Sequence, residues 1–290
     1  LRVLPIGDAK LTMLNGGNFR LDGGAMHGVV PKTLWSKLVS CDALNRCEYA
    51  TRCLLIEAAG KRVLVETGNG DKFSPKLKEI YGINHDRSIE HALREVGLRP
   101  DDIDFVVMTH MHFDHSGGAT RFSTGGNGLA PVFTRARHVV QRKEWKDAVK
   151  PHERNRASYL QENVAPLAEG GGERLWLVDG ETEIVPGVRV IPTPGHTAGH
   201  QSVLIGAWDP GAPKALFLGD VTPTAVHVKL PWVMGYDMDP AGTVETKRAL
   251  FTRAVQEDWL LLWGHDKDNA GGRLGVDKDG NFVIRELVTM

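Results

Sequence analysis

Cysteine is scarce in this chain, with three among 290 residues: Cys41, Cys47 and Cys53. An odd count excludes a fully paired intramolecular disulfide framework and fits a reducing compartment. The even spacing of the three invites a metal reading. No second cluster completes a set of four ligands, so small buried thiols are the expectation. An excess of charge is also missing. The 35 basic and 36 acidic residues leave a formal net charge of -1, which removes any electrostatic pull toward nucleic acid or an anionic membrane. No apolar run approaches the roughly 20 residues of a membrane span. The opening Leu1-Arg2-Val3-Leu4-Pro5 lacks the long apolar stretch of a secretory leader, although a chain without an initiator Met leaves room for a leader already removed. Internal repeats and low-complexity segments are absent. The nearest thing to a linker, Glu169-Gly170-Gly171-Gly172-Glu173, is too short to separate domains and reads as a surface turn. With 41% hydrophobic residues there is ample material for a core. The expectation is one α/β domain over residues 1–290, in the cytoplasm.

Strand-like runs are frequent. Cys53–Glu57 and Arg62–Glu66 flank Ala59-Gly60-Lys61 and read as a hairpin. Ile103–Met108, Arg174–Val178, Val188–Ile191, Ser202–Ile205, Ala215–Leu218 and Leu260–Trp263 continue the series, and Lys278-Asp279-Gly280-Asn281 is a turn before Phe282–Ile284. Between them, Ser88 to Val96 has a capping Ser, apolar residues at helical spacing and a closing Gly97. Glu144–Val149, Glu153–Asn163 and Thr243–Glu257 are further helix candidates. Hairpins first, then strands alternating with helices in both halves, suggest two packed β-sheets with helices outside.

The chemistry concentrates in Thr109-His110-Met111-His112-Phe113-Asp114-His115-Ser116-Gly117-Gly118, which puts three histidines and one carboxylate within six residues. At alternate positions of an extended loop His110 and His112 point to one side. A turn beginning at Asp114 sends Asp114 and His115 to a neighbouring point, and Gly117 and Gly118 let the backbone tighten. One short loop can thus serve two metals about 3.5–4 Å apart. Further ligand candidates stand at the ends of apolar runs or in turns beside them: His196 in Pro194-Gly195-His196, Asp220 after Leu216-Phe217-Leu218-Gly219, and His265 after Trp263-Gly264. His200, four residues past His196, is placed to support a ligand. His227 could line a pocket. His27, His85, His91, His138 and His152 read as surface or structural residues.

The pattern H-x-H-x-D-H, then a distant His, a distant Asp and a last His, resembles the metallo-β-lactamase superfamily over residues from about 50 to 265. The resemblance implies an αββα four-layer sandwich with metals at one edge. It implies that His110, His112 and His196 hold one ion, that Asp114, His115 and His265 hold the other, and that Asp220 bridges them. His112 stands where the flavodiiron branch carries Glu, which suits zinc better than redox iron; manganese, cobalt or iron remain alternatives. True class B β-lactamases lack the bridging Asp220, and the balanced charge argues against the nuclease branches. Three flanking stretches, Leu21–Lys32, Thr222-Pro223-Thr224 and Pro231–Asp237, are similar to the lactonases that open N-acyl homoserine lactones. Methyl parathion hydrolase-like phosphotriesterases are similar in outline. Met26, Val29, Val30, Leu34 and Trp35 would be either core or the wall of an acyl-chain pocket.

Two departures stand out. Glu66 occupies a strand end where the family usually carries the Asp that steadies the histidine loop. The Tyr that known lactonases place shortly after the bridging Asp is missing, since Val221, Thr222 and Pro223 follow Asp220. Tyr236 is the nearest substitute and His227 a rival; the sequence does not choose. The implied reaction is hydrolysis of a lactone or ester by a metal-bridging hydroxide, with Asp114 passing a proton to the leaving group. The expected partner is that small-molecule substrate, with no nucleic acid or membrane and with a homodimer as the assembly to consider. A phosphotriesterase is the first alternative. A thioester hydrolase like glyoxalase II would need a basic C-terminal region, and Gly271–Met290 offers only Arg273, Lys278 and Arg285. A non-catalytic metal-binding protein on the same fold is the alternative from another class.

Overall fold

A period of two governs the strands. In the run Cys53 to Ala58, residues Leu54, Ile56 and Ala58 belong to one buried cluster, and Cys53 and Leu55 to another. Similarly, Ala215 and Phe217 fall in the first of these clusters and Leu216 and Leu218 in a third. Strands apolar on both faces need covering on both faces, which dictates a layered structure.

The computed structural model describes residues 3–83, 87–123, 125, 128–169 and 174–289. The first half of the chain contributes β1 (Val3–Ile6), β2 (Ala9–Asp22), β3 (Arg46–Ala58), β4 (Lys61–Val65), β5 (Phe105–Val107), β6 (Thr120–Phe122), β7 (Leu129–Pro131), β8 (Arg137–Gln141) and β9 (Leu175–Val178). Seven of them form a sheet in the order β1-β2-β3-β4-β5-β8-β9, and β6 pairs with β7. The second half supplies β10 (Thr182–Val185), β11 (Val188–Pro192), β12 (Gln201–Gly206), β13 (Lys214–Phe217), β14 (Leu260–Leu262), β15 (Asn269–Val276) and β16 (Phe282–Thr289), which form a second seven-stranded sheet in sequence order. The facing sides of the two sheets share one core, including Leu54, Val65, Val107, Val203, Phe217 and Leu262. The outer face of the first sheet packs Leu55, Leu64 and Val106 with Ile89, Leu93, Ala148 and Val164 of the helices Ile89–Glu95, Arg142–Val149 and Gln161–Glu169. The outer face of the second packs Leu216 and Leu261 with Leu250, Phe251 and Ala254 of Pro240–Gln256. This is the expected αββα sandwich. Among the described residues no helix is long and apolar enough to cross a membrane.

Three expectations need correction. Cys41 and Cys47 are not free thiols: they are joined in a disulfide, and only Cys53 is free and buried. The antiparallel bridge between positions 41 and 47 brings the pair together, a contact that spacing along the chain does not reveal. The helix expected over Glu153–Asn163 lies instead at Gln161–Glu169. Residues 153–158 form turns, and the Ser158 carbonyl accepts the Phe113 N–H at 2.9 Å, so this backbone is committed to the histidine loop. Finally, Val29 (88% exposed) and Leu34 (51%) are neither core nor pocket wall, whereas Met26 and Trp35 are buried. His85 and Gly170–Glu173 lie outside the described residues.

Candidate metal centre

Five strand ends deliver the site. The chain leaves β4 at Glu66, β5 at Met108, β11 at Thr193, β13 at Leu218 and β14 at Trp263. β4 and β5 run parallel, as do β13 and β14, so their C-terminal ends open on the same edge of each sheet. The two sheets are joined there. The Ala50 and Arg52 N–H groups of β3 donate to the His265 and Gly264 carbonyls at 3.2 and 2.9 Å. The Gln201 N–H and side-chain amide donate to the Thr109 and Met108 carbonyls at 2.9 and 2.8 Å.

His110 and His112 precede a short helix, Phe113–Ser116, with His112 as its N-cap residue; Asp114 and His115 ride on its turn. The helix therefore begins before the glycines. Gly117 and Gly118 are required by close approach, since a Cβ on them would lie 2.0 Å from the Asn69 carbonyl oxygen and 2.2 Å from that of Thr67, respectively. Gly219 has φ +59°, and a Cβ on it would lie 2.7 Å from His200 Nε2. That tight turn aims Asp220 at the histidines, while the Asp220 N–H donates to His200 Nε2 at 3.0 Å. His200 Nδ1 lies 2.7 Å from Thr193 Oγ1, so His200 steadies the turn that carries Asp220 and not, as its position suggested, the ligand four residues before it.

All seven expected ligands converge. Donor atoms of His110, His112 and His196 lie within 4.8 Å of one another, as do those of His110, His115 and Asp220, and those of Asp114, His115 and His265. Asp220 faces both sides. Its Oδ2 is 3.4 Å from His196 Nε2 and 3.9 Å from His110 Nε2, and its Oδ1 is 3.0 Å from His265 Nε2 and 3.5 Å from His115 Nε2. Asp114 Oδ2 lies 3.4 Å from His265 Nε2 and 3.6 Å from His115 Nε2.

The outward ring nitrogens are fixed by other groups. His265 Nδ1 is 2.7 Å from the Ala50 carbonyl, a contact only an N–H can make, so Nε2 presents its lone pair to the cluster. His196 Nδ1 lies 2.9 Å from Asp237 Oδ1, and His110 Nδ1 lies 3.0 Å from Thr109 Oγ1. His115 Nδ1 is 3.5 Å from Glu66 Oε1, the oxygen that also accepts the Thr109 N–H at 3.1 Å. Glu66 thus reaches the histidine loop in place of the usual Asp, from a backbone at φ +66°.

Inward-facing nitrogens then crowd one another. His196 Nε2 is 3.1 Å from His112 Nδ1, and His265 Nε2 is 3.1 Å from His115 Nε2. His110 Nε2 and Asp220 Oδ1 are buried without a hydrogen-bond partner among the described residues. Buried lone pairs converging with no donor between them are a cation site. Burial and the neighbouring imidazoles push His110 and His112 well below the usual histidine pKa. Burial opposes charge on His115 too, but Asp114, Asp220 and Glu66 outweigh it and raise its pKa well above the usual value. Burial disfavours the Asp220 carboxylate, yet His265, His115 and His196 hold its pKa well below the ordinary range. A metal must displace protons from such a cluster, so occupancy depends on pH. Nitrogen and carboxylate donors in this number and order suit a pair of divalent ions.

A cleft of about 570 Å³, counting its open mouth, ends on His112, Asp114, His196, Asp220 and His265. Leu21, Met26, Phe113 and Met234 give it apolar walls, and Tyr81 and Tyr236 add two phenols. His227 is not among its lining residues. The His227 ring donates through Nε2 to the Met26 carbonyl at 2.9 Å, and its Nδ1 lies 2.7 Å from Thr224 Oγ1. Three neighbours of the site escaped the sequence reading. Tyr81 lies at the end of the helix Pro75–Tyr81, Asp237 directly follows Tyr236, and Glu144 is fully buried on Arg142–Val149. Only Asp237, within a stretch already singled out, had any local signal.

Comparison with known proteins agrees with this geometry. Residues 48–265 match the metallo-beta-lactamase superfamily. The N-acyl homoserine lactonase AiiA of Bacillus thuringiensis subsp. kurstaki is 29% identical over 224 residues, covering 74% of this chain and 80% of that one. The crystal structure of a probable metal-dependent hydrolase from Staphylococcus aureus superposes with a TM-score of 0.88 at 33% identity, covering 99% of both chains. AidC, a dizinc quorum-quenching lactonase solved with a product, shares the fold, with a TM-score of 0.78 at 17% identity over 100% of this chain and 98% of that one. The chain belongs to the metallo-β-lactamase superfamily and is a metal-dependent hydrolase.

Proposed function

We propose that this hydrolase opens the ring of N-acyl homoserine lactones with a pair of zinc ions. The observation that carries the reading is the cleft, in which apolar walls lead directly onto the donor cluster. An acyl chain fits such walls, and an ester head needs such an end. The similarity to curated lactonases supports the same substrate class.

In this reading His110, His112 and His196 hold one ion, Asp114, His115 and His265 the other, and Asp220 sets their separation. Bound there, the ions would polarise an ester carbonyl and lower the pKa of water to about 7. Asp114, at the cleft floor, passes a proton to the departing alkoxide. Tyr236 is the better candidate than His227 for a donor to the carbonyl oxygen. Its phenol lines the cleft, whereas both His227 nitrogens are engaged elsewhere. Burial raises the Tyr236 pKa, with Tyr81, Asp22 and Asp114 adding to the effect, so the phenol keeps its proton and can donate it in a hydrogen bond. Leu21, Met26, Phe113 and Met234 receive the acyl chain.

The test is proton release on N-acyl homoserine lactones of several chain lengths, with zinc-loaded protein and a chelated control. Rapid, chelator-sensitive release is expected. No release from protein shown to hold two ions would overturn the lactone reading and shift the assignment to phosphotriesters or other esters.

A further inference from the structure

Glu144 is buried and plays no role in the chemistry above, yet three separate segments converge on it. Its Oε1 accepts the Met111 N–H at 2.9 Å and the Tyr159 hydroxyl at 2.8 Å. Its Oε2 accepts the Thr197 hydroxyl at 2.6 Å. Met111 sits between His110 and His112, and Thr197 directly follows His196. The Tyr159 ring packs edge-on against His112 at 4.7 Å between centroids. One carboxylate therefore ties together both chain segments that carry His110, His112 and His196. These segments are otherwise far apart in sequence, and their facing ring nitrogens, on His112 and His196, lie 3.1 Å apart. In the other ligand set, Glu66 Oε1 approaches His115 Nδ1 at 3.5 Å, while also accepting the Thr109 N–H.

Resting on the metal-pair reading, we propose that Glu144 is a positioning residue that sets metal affinity selectively at the His110–His112–His196 position. The argument is geometric. Hydrogen bonds to charged acceptors are the strong ones, and a buried carboxylate with three donors holds each of them in place. Groups that orient ligands in this way typically govern metal affinity by about 10–100-fold. Nothing joins Glu144 directly to Asp114, His115 or His265 among the described contacts, so the effect should be confined to one ion.

The experiment measures zinc retention against a chromophoric chelator in the zinc-loaded holoprotein, for the wild type, Glu144→Gln and the milder Thr197→Val. Thr197→Val removes a single bond to Oε2 and guards against a folding defect in Glu144→Gln; thermal melts run in parallel. In both variants one of the two zinc equivalents should be held at least about 10-fold more weakly, with the other unchanged. The position is assigned by crossing Glu144→Gln with His265→Ala and with His196→Ala. The loss should persist with His265→Ala, where the first position remains, and vanish with His196→Ala. Equal weakening of both equivalents, or no weakening in either variant, would overturn the proposal. A wild type that never holds two equivalents would instead remove the metal-pair reading itself.

Discussion

Asp237 Oδ1 stands 2.9 Å from His196 Nδ1, with both side chains buried. The pairing fixes the imidazole so that Nε2 faces Asp220 and His112. The other carboxylate oxygen of Asp237 is buried without a partner among the described residues, so its side chain bonds through Oδ1 to His196. Asp237→Asn keeps the shape but removes the charge that favours an N–H at Nδ1. We expect a drop in zinc affinity of about 10–100-fold at one position, measured by chelator competition. Unchanged affinity would show that His196 is oriented by its loop alone.

Asp220→Ala tests the bridge. The carboxylate faces four imidazoles, two through each oxygen. Its removal leaves them without the anion that draws a cation to them. Activity should fall by about 10²-fold or more, together with the loss of at least one metal equivalent by elemental analysis. A variant with both ions and full rate would defeat the bridging role.

Tyr236→Phe, Tyr81→Phe and His227→Ala separate the phenols from the imidazole. All three should keep full metal content. The phenol that contacts the carbonyl oxygen should cost about 10²-fold in kcat when removed; we expect this for Tyr236, with Tyr81→Phe acting mainly on KM. His227→Ala should lower the melting temperature, because it strips the Met26 carbonyl and the Thr224 hydroxyl of their partner. A rate loss confined to His227→Ala, at unchanged stability, would reverse the assignment.

The division between what could be read from sequence and what could not follows from range. The seven candidate ligands were legible because ligation restricts residue type and order, and strand ends had already placed them. The alternation in Leu54–Ala58 and Ala215–Leu218 announced buried strands for an equally local reason. Glu144 carries no such mark. Its donors Met111 and Thr197 lie 33 and 53 residues away, and a lone Glu in an amphipathic helix looks like a solvated face. The Cys41–Cys47 bond depends on strand pairing, not on spacing. The helix expected from Glu153 failed because Ser158 gives its carbonyl to Phe113, a tertiary bond that overrides local propensity.

His27 provides a pH-dependent test away from the ligands. Its ring stacks on Trp35 at 4.8 Å and on His227 at 5.1 Å, and Trp232 meets it edge-on at 5.9 Å. Both His27 nitrogens are buried without hydrogen-bond partners among the described residues. Burial lowers its pKa to about 4. Burial, with His27 beside it, lowers that of His227 to about 3, where Lys247 disfavours the charge further and the Met26 carbonyl and Asp220 oppose the shift. In an unfolded chain a histidine titrates near about 6.5. Between that value and about 4 the unfolded state therefore binds the proton that folded His27 refuses, and stability falls as pH falls; below about 4 the dependence on His27 levels off. His27→Phe keeps the stack and discards the two partnerless nitrogens. At pH 8 its stability should match or exceed that of the wild type. At pH 5 it should be the more stable of the two, with metal loading held equal so that ligand protonation cancels. Denaturant melts of both proteins across this range measure the difference in slope. Parallel slopes would mean that His27 is protonated in the fold, and a large loss at pH 8 would mean that its nitrogens have partners after all.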